Sequence, residues 1–254
     1  MIRIEFKQSW RYFNKGQIIE LDDSKSIVFV GDNGSGKSSL MILILINSIR
    51  NKLKSENKEY EWYNLDNNMK NLLGHGAYYE LFEDFDRICC IDDDSNKDYK
   101  YFNLDLFNLT KIDEEQALNA SELAFSIDLR SLSHGESSLN QIFDFVDKHN
   151  KDKKLCYMFD EPDANLAIKH AVVFGQYFSE KGRLILSLHH PYTISQYKEV
   201  YWLYSTYDND GKRIGTELSK ISGKEYVNTM INEGCRILKE QMGISITKND
   251  IINL

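Results

Sequence analysis

The sequence predicts an α/β fold in which helices flank a mainly parallel sheet. Three short apolar runs support this prediction: SIVFVG at 26–31, LCYMF at 155–159 and RLILSL at 183–188. Continuous apolar runs of this length are typical of strands that are buried on both faces of a parallel sheet. Helical segments follow the first run and separate the other two, and alternating strands and helices are the pattern of an α/β domain.

The composition is ordinary for a globular protein and argues against several other classes. The chain has 254 residues, of which 42% are hydrophobic and 28% are charged. Its net charge of -8 argues against a surface dominated by nucleic-acid binding. No apolar run approaches the ~18 residues that span a bilayer, and the N-terminus lacks the pattern of a secretory signal. We therefore expect a cytoplasmic protein without a transmembrane segment, whose four cysteines are reduced.

The N-terminal elements follow from hydrophobic periodicity. IRIEF at 2–6 alternates apolar and polar residues, as a half-buried strand does. The segment 37–53 is apolar nearly all round, which predicts a helix buried between layers. Polar residues dominate from about residue 54, and we expect an inserted, partly helical lobe over about 54–130.

The C-terminal half predicts further helices and a hairpin. Apolar residues at helical spacing predict a helix that starts near Glu136, and another helix is expected between the second and third strands. Two apolar runs flank Asp210-Gly211, which is a hairpin signal, and the tail has a helical pattern. We therefore expect a single domain over 1–254 that ends in a hairpin and a helix at about 200–254.

Residues 31–39, called the phosphate loop below, read GDNGSGKSS and match the phosphate-binding pattern G-x-x-x-x-G-K-[ST]. The glycines allow backbone N–H groups to face phosphates, Lys37 would neutralise the β- and γ-phosphates of a nucleotide, and the Ser38 hydroxyl can ligate Mg²⁺. The alternative is a glycine-rich turn without a ligand. The predicted nucleotide-binding residues here are Gly31, Asp32, Asn33, Gly34, Ser35, Gly36, Lys37, Ser38 and Ser39.

The second and third apolar runs, at 155–159 and 183–188, are each followed by residues with possible metal-binding or catalytic roles. Asp160 is placed to hold the Mg²⁺ shell together with Ser38, and Glu161 is placed to orient or deprotonate an attacking water. The alternative for both acids is a helix N-terminus, where carboxylates offset the backbone dipole. His189 follows the third strand and would point at the γ-phosphate, although an isolated histidine is more often structural. Glu161 and His189 are the predicted catalytic residues.

Residues 132–138, called the signature below, read LSHGESS and precede a predicted helix. In this order and at roughly this spacing, the phosphate loop, LSHGE, FDEP and LHHP resemble ABC-type ATPases, which are P-loop nucleoside triphosphatases. The resemblance covers about residues 1–205 and is closest to the short ATPases of the SMC-like and "AAA family, ABC-type" groups, whose signature often reads SHGES.

The resemblance implies that the signature contacts ATP bound to the other subunit of a homodimer. Ser133, the backbone of Gly135 and the helix start at Glu136 would together bind an anion, and the alternative is a simple helix cap. The resemblance also implies that 163–166 form a D-loop beside the partner's site, and that the aromatic and basic segment 10–13 lies near the nucleotide.

Two departures from the family pattern concern the metal shell and the signature. ABC-type ATPases usually carry a glutamine between the phosphate loop and the signature, and no glutamine occurs here from Lys37 to Glu115. Asn103 or Asp105 is the candidate replacement as a metal ligand. In addition, Glu136 stands where transporter subunits usually have glutamine. Both departures point away from transport.

The function implied by the resemblance is an ATP-binding and ATP-hydrolysing switch that dimerises around two ATP. Its expected partner is an effector protein such as a nuclease or toxin, or a nucleic acid, in prokaryotic antiviral defence or DNA repair. The alternative is the nucleotide-binding subunit of an ABC membrane transporter. A long coiled-coil SMC protein is rejected, because no sustained heptads occur between Lys37 and Ser133.

Overall fold

The computed structural model describes residues 1–55, 81–93, 97–103, 155–163, 166–179 and 184–242. In chain order, the elements in these ranges are β1 (Ile2–Phe6), β2 (Ile18–Leu21), β3 (Ile27–Val30), α1 (Lys37–Ser55), α2 (Phe85–Ile88), β4 (Cys89–Asp93), β5 (Asp98–Asn103), β6 (Leu155–Asp160), α3 (Ile168–Ser179), β7 (Leu184–Ser187), α4 (Pro191–Ile194), β8 (Val200–Tyr207), β9 (Arg213–Ile221) and α5 (Gly223–Met242).

The larger sheet has six strands in the order β5-β6-β7-β3-β8-β9. Every neighbouring pair is parallel except β8 and β9, which are antiparallel. The predicted mainly parallel sheet is therefore confirmed, and its three predicted strands are β3, β6 and β7. Because these three strands are adjacent and parallel, their carboxyl ends meet at one edge of the sheet, which is where ligands bind in open α/β folds.

An apolar layer covers each face of the larger sheet. Successive residues of β3 face opposite layers, with Ile27 and Phe29 in one cluster and Val28 and Val30 in the other. The first cluster contains α1 and the second contains α3. Every residue of α1 from 40 to 46 is at most 1% exposed. The predicted helix between layers is therefore confirmed.

The smaller sheet is antiparallel, with the order β2-β1-β4. Ile2, Ile4 and Phe6 of β1 are buried in the same cluster as α1, while Glu5 between them is exposed. This alternation confirms the predicted half-buried strand. The smaller sheet thus contributes its buried face to the core cluster that also contains α1 and one face of the larger sheet.

Two strands lie within the range 54–130, for which we expected an inserted lobe. β4 belongs to the smaller sheet, and β5 extends the larger sheet beside β6. The alternation that marks β4, with Cys89 and Ile91 buried and Cys90 and Asp92 exposed, covers so few residues that the surrounding polar composition obscures it. The lobe as a unit stays a prediction, since 56–80 and 104–130 lie outside the described residues.

The C-terminal part of the described chain is a hairpin followed by a helix. β8 and β9 pair from Val200 to Tyr207, and α5 starts at Gly223. A Cβ at Gly223 would collide with the carbonyl oxygen of Ile194, so only glycine allows α5 to start this close to α4. In the part of the chain that the structure describes, no helix is long and apolar enough to cross a membrane.

Candidate functional site

The phosphate loop joins the end of β3 to α1. Its backbone has positive φ at Gly31, Gly34 and Gly36, with values of 138°, 76° and 110°. A Cβ at Gly31 would collide with the carbonyl oxygen of Leu203, and one at Gly36 would lie 2.7 Å from the Phe13 ring. Glycine is therefore required at these two positions by both the backbone conformation and the available space.

Lys37 is the first residue of α1, and its side chain is held against the phosphate loop. It is 4% exposed, and its Nζ donates hydrogen bonds to the carbonyl oxygens of Gly31 at 2.8 Å and Asp32 at 3.1 Å. Burial lowers the pKa of Lys37, while the nearby carboxylates of Glu161 and Asp160 act in the opposite direction. The ammonium group thus bonds to neutral carbonyls, and an anionic phosphate oxygen would be a stronger acceptor.

The serines of the phosphate loop differ in their surroundings. The Ser35 hydroxyl is buried and has no hydrogen-bond partner within the described residues. Ser38 is half-buried on the first turn of α1. The Ser39 hydroxyl lies 2.6 Å from Nη1 of Arg11 and accepts its hydrogen bond. Of the three predicted binding serines, Ser39 is therefore already engaged by the segment 10–13.

The segment 10–13 divides between core and surface. Phe13 is buried beneath Gly36 and stacks on Phe6 with the ring centroids 4.8 Å apart. Tyr12 is 46% exposed. Phe13 is therefore a core residue that supports the phosphate loop, and the nearness of the segment to a nucleotide stays a prediction.

Asp160 and Glu161 lie at the end of β6, where Ser187 of the adjacent strand β7 holds both. The Ser187 hydroxyl donates a hydrogen bond to Oδ1 of Asp160. The backbone N–H of Glu161 donates to the Ser187 carbonyl oxygen at 3.1 Å and lies 3.0 Å from its hydroxyl oxygen. Sequence reasoning missed Ser187, and the only signal was a hydroxyl residue within an otherwise apolar run.

Glu161 and His189 form a direct pair across the ends of β6 and β7. The Nε2 atom of His189 lies 2.8 Å from Oε1 of Glu161. The hydrogen bond to His189 lowers the pKa of Glu161, although partial burial opposes the shift. Glu161 also has a φ of 53°, which is a left-handed backbone conformation. This conformation is unfavourable for a residue that has a Cβ, and residues that adopt it are concentrated at functional sites. The two predicted catalytic residues are thus brought together.

Asp163 fixes the backbone that carries His189. Its side chain is fully buried, and its two carboxylate oxygens each accept a backbone hydrogen bond, from His189 and His190, both at 3.0 Å. Burial raises the pKa of Asp163, and the two N–H donors oppose the shift. This side chain therefore acts within its own subunit. A role of the 163–166 turn across a dimer stays a prediction, since residues 164–165 lie outside the described ranges.

Replacing Asp163 with alanine is expected to destabilise the fold by about 2–4 kcal/mol, because it removes a buried carboxylate and leaves two partly buried N–H groups without their acceptor. Urea unfolding measures the loss. Asp92→Ala is the matched control, since the Asp92 side chain is 67% exposed. Equal stability of the two variants would contradict the role given to Asp163.

Several predicted site residues lie outside the described residues. Ser133, Gly135 and Glu136 of the signature belong to this group, as does Asp105. Asn103 is the last residue of β5 and lies opposite Asp160 in the parallel register. That register puts Asn103 at the same sheet edge as the predicted metal ligand, and its role as a replacement for the missing glutamine stays a prediction.

Solved structures with similar folds were found. One is an SMC head domain from Thermotoga maritima, with a TM-score of 0.51 and 12% identity over 87% of this chain and 98% of that chain. Another is an SMC head bound to the C-winged helix domain of ScpA, with a TM-score of 0.48 and 13% identity over 89% and 98%. A third is a nucleotide-free ATP-binding cassette from an ABC transporter, with a TM-score of 0.42 and 17% identity over 91% and 94%.

At the level of sequence, no protein-family model matches the chain, and neither does any curated protein. The fold assignment rests on the Thermotoga maritima domain, which is matched over nearly its whole length. The chain therefore has the α/β fold of that SMC head domain, with the mainly parallel sheet that its sequence predicted.

Proposed function

We propose that the chain binds Mg-ATP, hydrolyses it and acts as a switch that dimerises around two ATP. The observation that carries the proposal is the meeting of Lys37, Asp160, Glu161 and His189 at one edge of the larger sheet. They come from three places in the chain: Lys37 from the phosphate loop, Asp160 and Glu161 from the end of β6, and His189 from the end of β7. Lys37 is close enough to Glu161 and Asp160 for their charges to affect its pKa. A buried cation, two carboxylates and a histidine beside a glycine loop can supply the positioning and the charge stabilisation on which phosphoryl transfer depends.

The described residues fit a magnesium-bound triphosphate. Lys37 presents its ammonium group at a loop whose backbone could face phosphate oxygens, and the Ser35 hydroxyl is buried there without a partner in the described residues. Ser38 and Asp160 offer the oxygen ligands that Mg²⁺ prefers. When bound, the ion would supply positive charge that offsets the charge developing on the phosphates.

In the proposed hydrolysis, Glu161 orients the attacking water and accepts its proton. Its carboxylate is ionised at neutral pH, because its pKa lies below the ordinary value for glutamate, and the ionised form is the one that can accept a proton. His189 holds the carboxylate through Oε1, which leaves the other oxygen for the water. Asp163 and Ser187 act indirectly, because they fix the backbone of these two residues.

The dimeric part of the proposal rests on the sequence. The resemblance of the signature to that of ABC-type ATPases supports a homodimer in which Ser133, Gly135 and Glu136 complete the partner's nucleotide site. The same resemblance supports a cytoplasmic role in which an effector protein, such as a nuclease or toxin, or a nucleic acid responds to closure. Prokaryotic antiviral defence and DNA repair are the settings proposed.

Trapping the ATP-bound state tests the proposed switch. Glu161→Gln is expected to be monomeric without nucleotide and dimeric with Mg-ATP, because bound ATP is no longer consumed and each triphosphate is clamped between two subunits. Adding Ser133→Arg puts a bulky cation at the proposed interface, so the double variant should bind ATP but remain monomeric. Light scattering with and without Mg-ATP measures both states.

The control for added charge is Glu161→Gln combined with Asn232→Arg, since Asn232 is exposed on α5. This variant should dimerise as Glu161→Gln alone does. If Glu161→Gln stays monomeric with saturating Mg-ATP, or if the Ser133→Arg double variant dimerises equally well, the signature does not act across a subunit interface.

A further inference from the structure

An arginine of the C-terminal hairpin lies against the phosphate loop, although 179 positions separate the two in sequence. Arg213 is the first residue of β9, and its Nη1 donates a hydrogen bond to the carbonyl oxygen of Gly34 at 2.9 Å. Its Nη2 donates to the Thr216 hydroxyl at 2.7 Å. The guanidinium lies over the Tyr12 ring, 3.4 Å from its centroid. Three contacts therefore hold this side chain in one orientation.

Thr216 contacts the next residue of the same loop. Its hydroxyl donates a hydrogen bond to the carbonyl oxygen of Ser35 at 3.1 Å, and the group is buried. The Thr216 backbone is itself held, since its N–H donates to the Tyr12 carbonyl oxygen at 2.8 Å and its carbonyl accepts from Gln17 at 2.8 Å. β9 therefore donates hydrogen bonds to two consecutive carbonyls of the phosphate loop, through Arg213 and Thr216. The backbone of Thr216 is itself fixed by hydrogen bonds.

Holding these two carbonyls also sets the direction of the amides. In a trans peptide the C=O and the following N–H point in opposite directions. With the Gly34 carbonyl on Arg213, the N–H of Ser35 closes the turn on the Asp32 carbonyl oxygen at 3.1 Å. With the Ser35 carbonyl on Thr216, the N–H of Gly36 points away from β9, and an amide in this direction is what an anion-binding loop offers to a phosphate.

We propose that Arg213 and Thr216 are positioning residues for nucleotide binding, which hold the phosphate loop in the conformation that binds a triphosphate. The inference rests on the proposed function and adds the C-terminal hairpin to its nucleotide site. Without the two donors, the carbonyls of Gly34 and Ser35 lose the contacts that fix their direction, and part of the binding free energy goes into ordering these two peptides. Because the loop holds phosphates both before and during hydrolysis, the loss affects ATP affinity and leaves kcat nearly unchanged.

Calorimetric titration with Mg-ATP tests this inference, since it reports the dissociation constant and the binding stoichiometry separately. Arg213→Ala is expected to raise Kd by about 10-fold with the stoichiometry unchanged, which is the scale of one charged hydrogen bond. Arg213→Lys keeps one charged donor but loses the planar fork, so it should recover part of the affinity. A purely structural defect would instead lower the stoichiometry and leave Kd unchanged.

Lys212→Ala is the matched control, because Lys212 is the neighbouring cation and its side chain is exposed; its Kd should equal that of the unaltered chain. If Arg213→Ala fails to fold, Thr216→Val is judged by the same criteria. Wild-type Kd in these variants would overturn the inference and leave the proposed function standing. A wild-type chain that binds no Mg-ATP would instead overturn the proposed function, and the inference with it.

Discussion

Glu161→Gln is expected to lower the rate of ATP hydrolysis by about 10²- to 10⁴-fold, which is the usual contribution of a general base. Glutamine keeps the size of the side chain and its hydrogen bond to His189, but its amide cannot accept the proton of the attacking water. Mg-ATP binding should be retained, since Glu161 lies at the end of β6 and makes no contact with the phosphate loop among the hydrogen bonds of the described residues.

Phosphate release at saturating Mg-ATP measures this effect. Glu199→Gln is the matched control, because Glu199 pairs with Lys220 outside the site, at 2.9 Å. That variant should hydrolyse ATP at the wild-type rate. Hydrolysis by Glu161→Gln within a few-fold of wild type would show that another group accepts the proton, and the mechanism proposed for this site would be wrong.

Lys37→Ala is expected to weaken Mg-ATP binding by at least about 2 kcal/mol, or about 30-fold in Kd. The substitution removes a buried cation from a loop whose remaining donors are neutral amides and hydroxyls. The effect should exceed that of Arg213→Ala, because Lys37 would contact the phosphates directly and Arg213 acts through the loop backbone.

Calorimetry again measures the affinity, and urea unfolding checks that the variant is folded. Lys37→Met is a useful companion, because it keeps the apolar stem of the buried side chain while losing the charge. Lys224→Ala removes an exposed lysine from α5 and should leave Kd unchanged. Unaltered Mg-ATP binding by folded Lys37→Ala and Lys37→Met would refute the assignment of residues 31–39 as a phosphate-binding loop.

The sequence alone was sufficient to predict the features whose pattern lies within a few neighbouring residues. β3, β6 and β7 are short runs that are apolar at every position, and α1 is apolar nearly all round, so burial could be predicted from a few neighbouring residues. The phosphate loop was predictable for the same reason, because positive φ at Gly31 and Gly36 and the lack of room for a Cβ both demand glycine at set positions. The end of each strand then indicated Asp160, Glu161 and His189.

Contacts between distant parts of the chain were decided only by the tertiary structure. Strand order brings β6 beside β7, and this places Oε1 of Glu161 2.8 Å from Nε2 of His189. It also allows Ser187 to form hydrogen bonds with both Asp160 and Glu161. Asp163 lies in a turn of the sequence, and only the structure shows that its side chain is buried and accepts a hydrogen bond from the backbone of His189. No sequence motif includes Arg213, and only the pairing of β9 with β8 brings it to Gly34. Periodicity reports which face of an element is buried, whereas the identity of its neighbour depends on the free energy of packing the whole chain.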